Sequence, residues 1–334
     1  MLLSKTPKFI RIFAKYAPTT GFPPLLSRKK VAAAMTDRKA VRVRPTRIRK
    51  TFWETVEPYV FLAPALTIFG LFLYYPFART IYLSLFLTDK YGMAKVFWGV
   101  GNYTSIFKDP SFWRSLTVTL QFVVMVALGG LVVGLCTSLL TANKYRGVTF
   151  CSASYAMPVA IASAAASMAF RMILHPTNGL LNILLGTQIS WTGDPRFALP
   201  VIAFLTVWLT SGINFIFISA GLRGIPPELY ESASIDGAGY WRKFFHVTLP
   251  GLSPTLFFQI IINIIQAFQS FSQVKILTEG GPGDSTNLIV YAIYRDAFFN
   301  YRFGTAAARS VILFVIILAI TLIQFSMEKR SVNY

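Results

Sequence analysis

The sequence predicts an all-α polytopic membrane protein of about six transmembrane helices, with a short polar helix on the cytoplasmic side between spans four and five. Three observations carry that expectation. The chain is 54% hydrophobic and only 13% charged over 334 residues, far more apolar than an ordinary soluble domain. Apolar runs recur at lengths sufficient for a hydrocarbon core of about 30 Å, which takes about 20 helical residues to cross. The positive charge is concentrated ahead of the first such run.

Positions 1–50 hold 14 of the 32 Lys and Arg and a single acid, Asp37. By the positive-inside rule a tail of this kind belongs in the cytoplasm. Residues 1–51 therefore read as a basic, disordered cytoplasmic segment resting on anionic membrane lipid. It lacks the interleaved aromatics of a nucleic-acid binder, so no nucleic-acid partner is expected. Met35-Thr36-Asp37-Arg38-Lys39 resembles a second start, and translation beginning at Met35 is a further expectation.

The remainder, 52–334, reads as one membrane domain with apolar runs at about 58–84, 115–141, 148–172, 199–222, 252–274 and 304–326. Only Ala142 to Gly147 separate the second and third runs, which makes them an antiparallel hairpin. An even number of spans puts both termini on the cytoplasmic side, with Lys144, Arg146, Lys329 and Arg330.

The fourth and fifth runs enclose a polar island. Pro226-Pro227 opens a helix with Glu228 and Glu231 in its first turns, where acids suit the helix dipole, and Gly237 turns the chain. The spacing Glu231-x-Ala233-x-x-Asp236-Gly237-Ala238, followed by Leu249-Pro250 and Pro254, resembles the cytoplasmic loop signature of permease subunits of bacterial ATP-binding cassette (ABC) importers. The second position of that signature is usually Ala and here is Ser232. An amphipathic interfacial helix shaped by its Gly and Pro is the alternative.

The resemblance implies a coupling helix that docks into a cleft of a separate ATPase. It assigns Glu231 to the polar contact, Ala233 and Ala238 to close approach, Gly237 to the turn, and Leu249-Pro250 to the launch of span five. For Asp236, a partner contact and a purely local hydrogen bond are equally open. It also implies a second homologous permease, a dimer of ABC ATPase subunits, an extracytoplasmic solute-binding protein and a place in the bacterial cytoplasmic (inner) membrane. ATP and Mg would sit on the ATPase, with no cofactor on this chain.

In span five, Gln259, Asn263, Gln266, Ser270 and Gln273 recur at helical spacing and share one face; span four adds Thr206, Thr210 and Asn214. Such side chains avoid lipid, so they either line a solute path or hydrogen-bond between helices. In the family resembled, the helices flanking the coupling loop line the path. Amides and hydroxyls suit a polyhydroxyl ligand, with aromatic faces such as Trp208, Phe268 and Phe271 available to sugar C–H surfaces.

Gly101-Asn102-Tyr103 with Asp109 and Phe112, then Gly280-Gly281-Pro282, Ser285-Thr286 and Tyr291 to Phe298, resemble external segments of carbohydrate permeases of the maltose and glycerol-phosphate type. The implied solute is a sugar, an oligosaccharide or an sn-glycerol 3-phosphate-like molecule. Arg295, Arg302 and Arg309 near the outer end of the last span would either greet a phosphate or snorkel to headgroups.

No Gly-x-x-x-x-Gly-Lys-Ser/Thr occurs, so the chain is not expected to hydrolyse ATP by that route. Cys136 and Cys151, and the isolated His175 and His246, lack metal-ligand spacing. An ion-coupled secondary carrier is the rival reading, but it ordinarily needs buried acids, and the span centres hold none. No nucleophile constellation suggests an enzyme.

Overall fold

The computed structural model describes residues 52–143 and 145–331, with side chains between Val56 and Ser326. The expectations for 1–51, including the Met35 start, and for Lys144, Lys329 and Arg330 lie outside the described residues or side chains. The chain divides into two compact units, Met1–Ala65 and Leu66–Tyr334. The described part of the first is the opening of helix α1 (Phe52–Phe69), which carries Pro58 and Pro64.

In the second unit α1 runs through a π-turn, Gly70–Tyr74, into α2 (Tyr75–Ser84). The next elements are a two-stranded antiparallel hairpin, β1 (Phe86–Thr88) and β2 (Ala94–Phe97), and then α3 (Gly101–Lys108) and α4 (Pro110–Ala142). The hairpin is the one departure from an all-α reading among the described residues. Asp89 stabilises its turn by accepting the Tyr91 and Met93 amides. Asn102 anchors it by donating to the Ser84 and Phe86 carbonyls.

The third predicted span is broken. Helix α5 (Val148–Ala156) and a 3₁₀ turn, Met157–Ala160, meet α6 (Ser163–Ile173) at a bend of 103°. Pro158 sits in that turn and Ala162 is extended, so the helical ladder stops there. After α7 (Leu180–Leu185) come α8 (Pro195–Gly224) and the predicted loop helix α9 (Pro227–Ile235). Then follow α10 (Tyr240–Lys243), a π-turn at Phe244–Thr248, α11 (Leu249–Phe268), α12 (Ser272–Leu277), α13 (Ile289–Phe298) and α14 (Phe303–Ser331). Among the described residues, five helical stretches are long and apolar enough to cross a membrane, six if the bent pair is one span.

Leu249-Pro250 does not launch span five, as the motif led us to expect. That span begins at Tyr240, so both residues lie inside a continuous apolar helix reaching Phe268. An interior proline lacks the N–H for the i−4 carbonyl and collides with it. Here that carbonyl belongs to His246, in the π-turn, where Leu249 N–H reaches back to the Phe244 carbonyl and the helix is locally widened. Pro76 repeats the device: Phe72 lies in the π-turn before it, and Tyr75 N–H bonds the Gly70 carbonyl.

The centre is a packing of α4, α8 and α11, with Phe122, Val126, Ile202, Leu205 and Phe268 buried among them. Lipid offers no hydrophobic drive between helices, so association relies on close backbone approach and hydrogen bonds. A Cβ at Gly134 would stand 2.5 Å from Asn214 Cβ. The Ser138 hydroxyl donates to the Phe215 carbonyl and the Ser219 hydroxyl to Ser138 Oγ. The start of α13 is tied to α4 by the Ile289 N–H, which donates to Thr119 Oγ1 at 2.9 Å.

Replacing buried Thr119 by Val should orphan that amide without changing side-chain shape. We expect a loss of about 1–3 kcal/mol, read as a lower unfolding midpoint of the purified protein in detergent; an unchanged midpoint would remove Thr119 from the account.

Candidate functional site

Two places are candidates for function, a polar loop helix at one end of the bundle and a polar cavity within it.

Helix α9 starts at Pro227 with Glu228 in its first turn, as the sequence indicated. It ends in a Schellman turn: Ala238 N–H bonds the Ala233 carbonyl at 2.9 Å, and Gly237 N–H the Ser234 carbonyl at 3.1 Å. Gly237 has φ +74°, the left-handed conformation that glycine adopts without penalty. Its added Cβ would meet nothing within 4 Å, so the requirement for glycine is conformational and not one of space.

Glu231 and Asp236 are exposed and make no side-chain hydrogen bond or ion pair among the described residues; Ala233 and Ala238 are half-buried. Asp236 contributes its backbone amide, which bonds the Ser232 carbonyl, so it is part of the turn through its main chain. The helix is tied back by Tyr230 Oη to Thr248 Oγ1 (3.0 Å) and by Lys243 Nζ donating to Ser234 Oγ (2.7 Å). Around it Ile235, Tyr240 and Trp241 are more than two-thirds or nearly two-thirds bare, at 87%, 66% and 68%. The sequence reading did not single out these three, although a run of aromatics beside a charged helix was its available signal.

The cavity, of about 450 Å³, is bordered by two helix breaks and by α8. One break is Pro158–Ser163; the other follows Phe268. Thr206 and Thr210 of α8, Gln266 of α11, and Gln269, Ser270 and Gln273 after it supply the polar lining. The single-face stripe of five is thereby corrected. Helix α11 ends at Phe268, and Ser270 and Gln273 reach the cavity through the break, not through helical periodicity. The Ser270 hydroxyl donates to the Gln266 carbonyl and competes for the helical ladder there. Gln269, off the sequence stripe, joins the lining because of this break.

Asn214 and Asn263 lie outside the cavity lining. Both are fully buried, and they exchange two amide hydrogen bonds of 3.0 and 2.9 Å. Asn214 also donates to the Thr210 carbonyl, and Asn263 reaches the Ala127 carbonyl of α4 at 3.4 Å. For these two, interhelical bonding is the observed role. Membrane interhelical hydrogen bonds average only about 0.6 kcal/mol, so the pair joins the helices reversibly.

Gln259, one turn earlier on α11, is equally buried, yet neither amide atom meets a protein partner among the described residues. An unpaired buried polar group costs about 1–3 kcal/mol.

At the far end of the bundle a second cavity, of about 590 Å³, holds Arg295, Arg302 and Arg309 with Asp109 and Asp296. Neither role weighed for Arg309 is what the structure shows. It is buried, with Nη2 3.0 Å from Asp109 Oδ2 and Nε 3.1 Å from Asp296 Oδ2. Arg295 pairs with Asp284 at 3.2 Å. Desolvation pushes the Asp109 carboxyl up, but the Ser111 hydroxyl and amide, with Arg309 and Arg295 beyond, together hold it below the ordinary carboxylate range. Asp109 also caps α4, and so joins the starts of α4 and α14.

The family model for the inner membrane component of binding-protein-dependent transport systems matches residues 58–332. The sn-glycerol-3-phosphate transport system permease protein UgpA of Brucella abortus biovar 1 (strain 9-941) is 34% identical, with 85% of this chain and 98% of that protein covered. Its namesake in Escherichia coli (strain UTI89 / UPEC) is 32% identical over 86% of this chain and 98% of its own length. In fold, the chain is similar to a subunit in the crystal structure of a bacterial alginate ABC transporter in complex with alginate pentasaccharide-bound periplasmic protein. That likeness has a TM-score of 0.73 at 23% identity and covers 84% of this chain and 97% of the other.

Two tests separate the polar groups. Asn263→Leu should lower the unfolding midpoint, by about 1 kcal/mol in stability, whereas Gln266→Leu at the cavity should leave it in place; the reverse order would exchange the two roles. Because the folded-state Asp109 carboxyl titrates below its unfolded value, its stabilisation is present above about pH 4 and is lost as pH falls through the lower folded value. Asp109→Asn should therefore be less stable at neutral pH and show a shallower acid decline in thermal unfolding measured across that window.

Proposed function

The chain belongs to the family of inner membrane components of binding-protein-dependent transport systems, and from that premise we propose how it serves a polyhydroxyl solute, which partners it meets and where. It is a multi-pass permease subunit of an importer, and its sequence holds no Gly-x-x-x-x-Gly-Lys-Ser/Thr phosphate cradle. Residues 52–334 form its membrane domain, with 1–51 and the C-terminus on the cytoplasmic side.

The carrying observation is helix α9. It is exposed, built by backbone hydrogen bonds into a fixed turn, and bounded by two spans that border the polar cavity through α8 and α11. On this reading α9 docks into an ATPase subunit, Glu231 and Asp236 supply polar contacts and Ile235 an apolar one. A second homologous permease completes the pathway, a dimer of ABC ATPases holds ATP and Mg, and an external binding protein delivers the solute. ATP moves the helices by favouring one arrangement over another, since a ligand with equal affinity for both shifts nothing.

Thr206, Thr210, Gln266, Gln269, Ser270 and Gln273 give the cavity hydroxyls and amides that both donate and accept, which suits sugar or glycerol hydroxyls. The relatives named above are glycerol-phosphate permeases, and an sn-glycerol 3-phosphate-like solute is the first candidate. A neutral sugar is the second, favoured by the lack of any cationic side chain in the described lining. With a phosphorylated solute, the charge falls to the second permease.

Glu231→Lys should abolish ATP-coupled uptake while the chain still inserts, because it reverses charge at the docking helix; normal uptake would refute this use of α9. Uptake of labelled glycerol 3-phosphate, challenged with unlabelled sugars, assigns the solute: competition by neutral sugars alone would displace the phosphorylated candidate.

A further inference from the structure

Helices α8 and α11 run antiparallel, and their contacts fix a register. Asn214 stands opposite Asn263 through the reciprocal amide bonds. Two turns further along α8, a Cβ on Gly221 would lie 2.6 Å from Thr255 Oγ1 and 3.0 Å from Leu252 Cδ2. Between these anchors Ile218 falls level with Gln259, and both are fully buried. The unpaired amide of Gln259 thus faces an aliphatic side chain, one helical turn short of Asn214.

We infer that α11 advances along α8 by one helical turn during transport, exchanging Asn263 for Gln259 as the partner of Asn214. In the same step Asn263 comes level with Thr210, so each amide meets a polar neighbour and Gln259 is no longer unpaired. One-turn ratchets are an established way for packed helices to switch between discrete arrangements, with a step of about 5.4 Å.

Three features favour this movement over a fixed core. The helix is bounded by the π-turn Phe244–Thr248 at one end and the break after Phe268 at the other, and both can absorb a change of register. Gly130 of α4 lies against the moving groups: a Cβ there would stand 3.2 Å from the Nδ2 atoms of Asn214 and Asn263 and 3.3 Å from Thr210 Oγ1. Finally, Gln266 lies at the cavity end of α11 and moves with it, while Gln269 and Ser270 follow in the break that takes up the change, so the step reshapes the polar cavity itself.

The inference rests on the ATP-driven importer reading, and its test separates the two. Ile218→Cys and Thr255→Cys, with Cys136→Ser and Cys151→Ser removing the native thiols, keep all three amides and become level only after the step. The complete complex with its ATPase and second permease, in proteoliposomes, is oxidised without nucleotide or after trapping with ATP and vanadate. At least tenfold more 218–255 disulfide in the trapped state is expected, and adding Gln259→Leu should abolish that rise together with uptake. Equal cross-linking in both states, or a rise unaffected by Gln259→Leu, in liposomes that perform ATP-driven uptake would overturn the ratchet alone. Absence of ATP-driven uptake in the parent complex would overturn both readings.

Discussion

In hydrocarbon a backbone amide or carbonyl has no water to turn to, and this constraint explains where the chain is regular and where it is not. Its long helices close their own hydrogen bonds. Ahead of two of its helical prolines, Pro76 and Pro250, the preceding turn widens so that an amide bonds the fifth residue back. Where the helix is abandoned altogether, near Ile161 and after Phe268, the freed segments border the same polar cavity. Irregular backbone at such positions is tolerable only beside a polar space, so the breaks and the cavity are one feature.

Much of this was legible in the sequence because its signals were long or conformational. Apolar runs longer than about 20 residues have few alternatives to a span. The limits of α9 followed from Pro227 and Gly237, whose backbone preferences act locally. The candidate path was less legible. The period of 3.6 that grouped Gln259 with Ser270 and Gln273 assumed an unbroken helix, but the helix ends at Phe268, before Ser270. The Asn214–Asn263 pair illustrates a second limit: an inward-facing amide has the same sequence pattern whether it meets a solute or another amide.

Arg309 shows the same ambiguity for charge. Near the end of an apolar run, an arginine is usually read as reaching for headgroups. Here Asp109 and Asp296 come from elements 200 and 13 positions away in the chain, and only the tertiary fold brings them to it. A charge otherwise expensive to bury becomes a connection among α4, α13 and α14.

The turn that closes α9 is held by main-chain bonds, through Ala233, Ser234, Gly237 and Ala238, while Ile235 and Asp236 project from it with no structural duty for their side chains. Shape and surface chemistry are therefore separable at this spot. If α9 docks as proposed, side chains there are free to diverge to match a different motor protein without redesign of the scaffold that presents them, and compatibility between transporter and motor can be retuned by a few exposed substitutions.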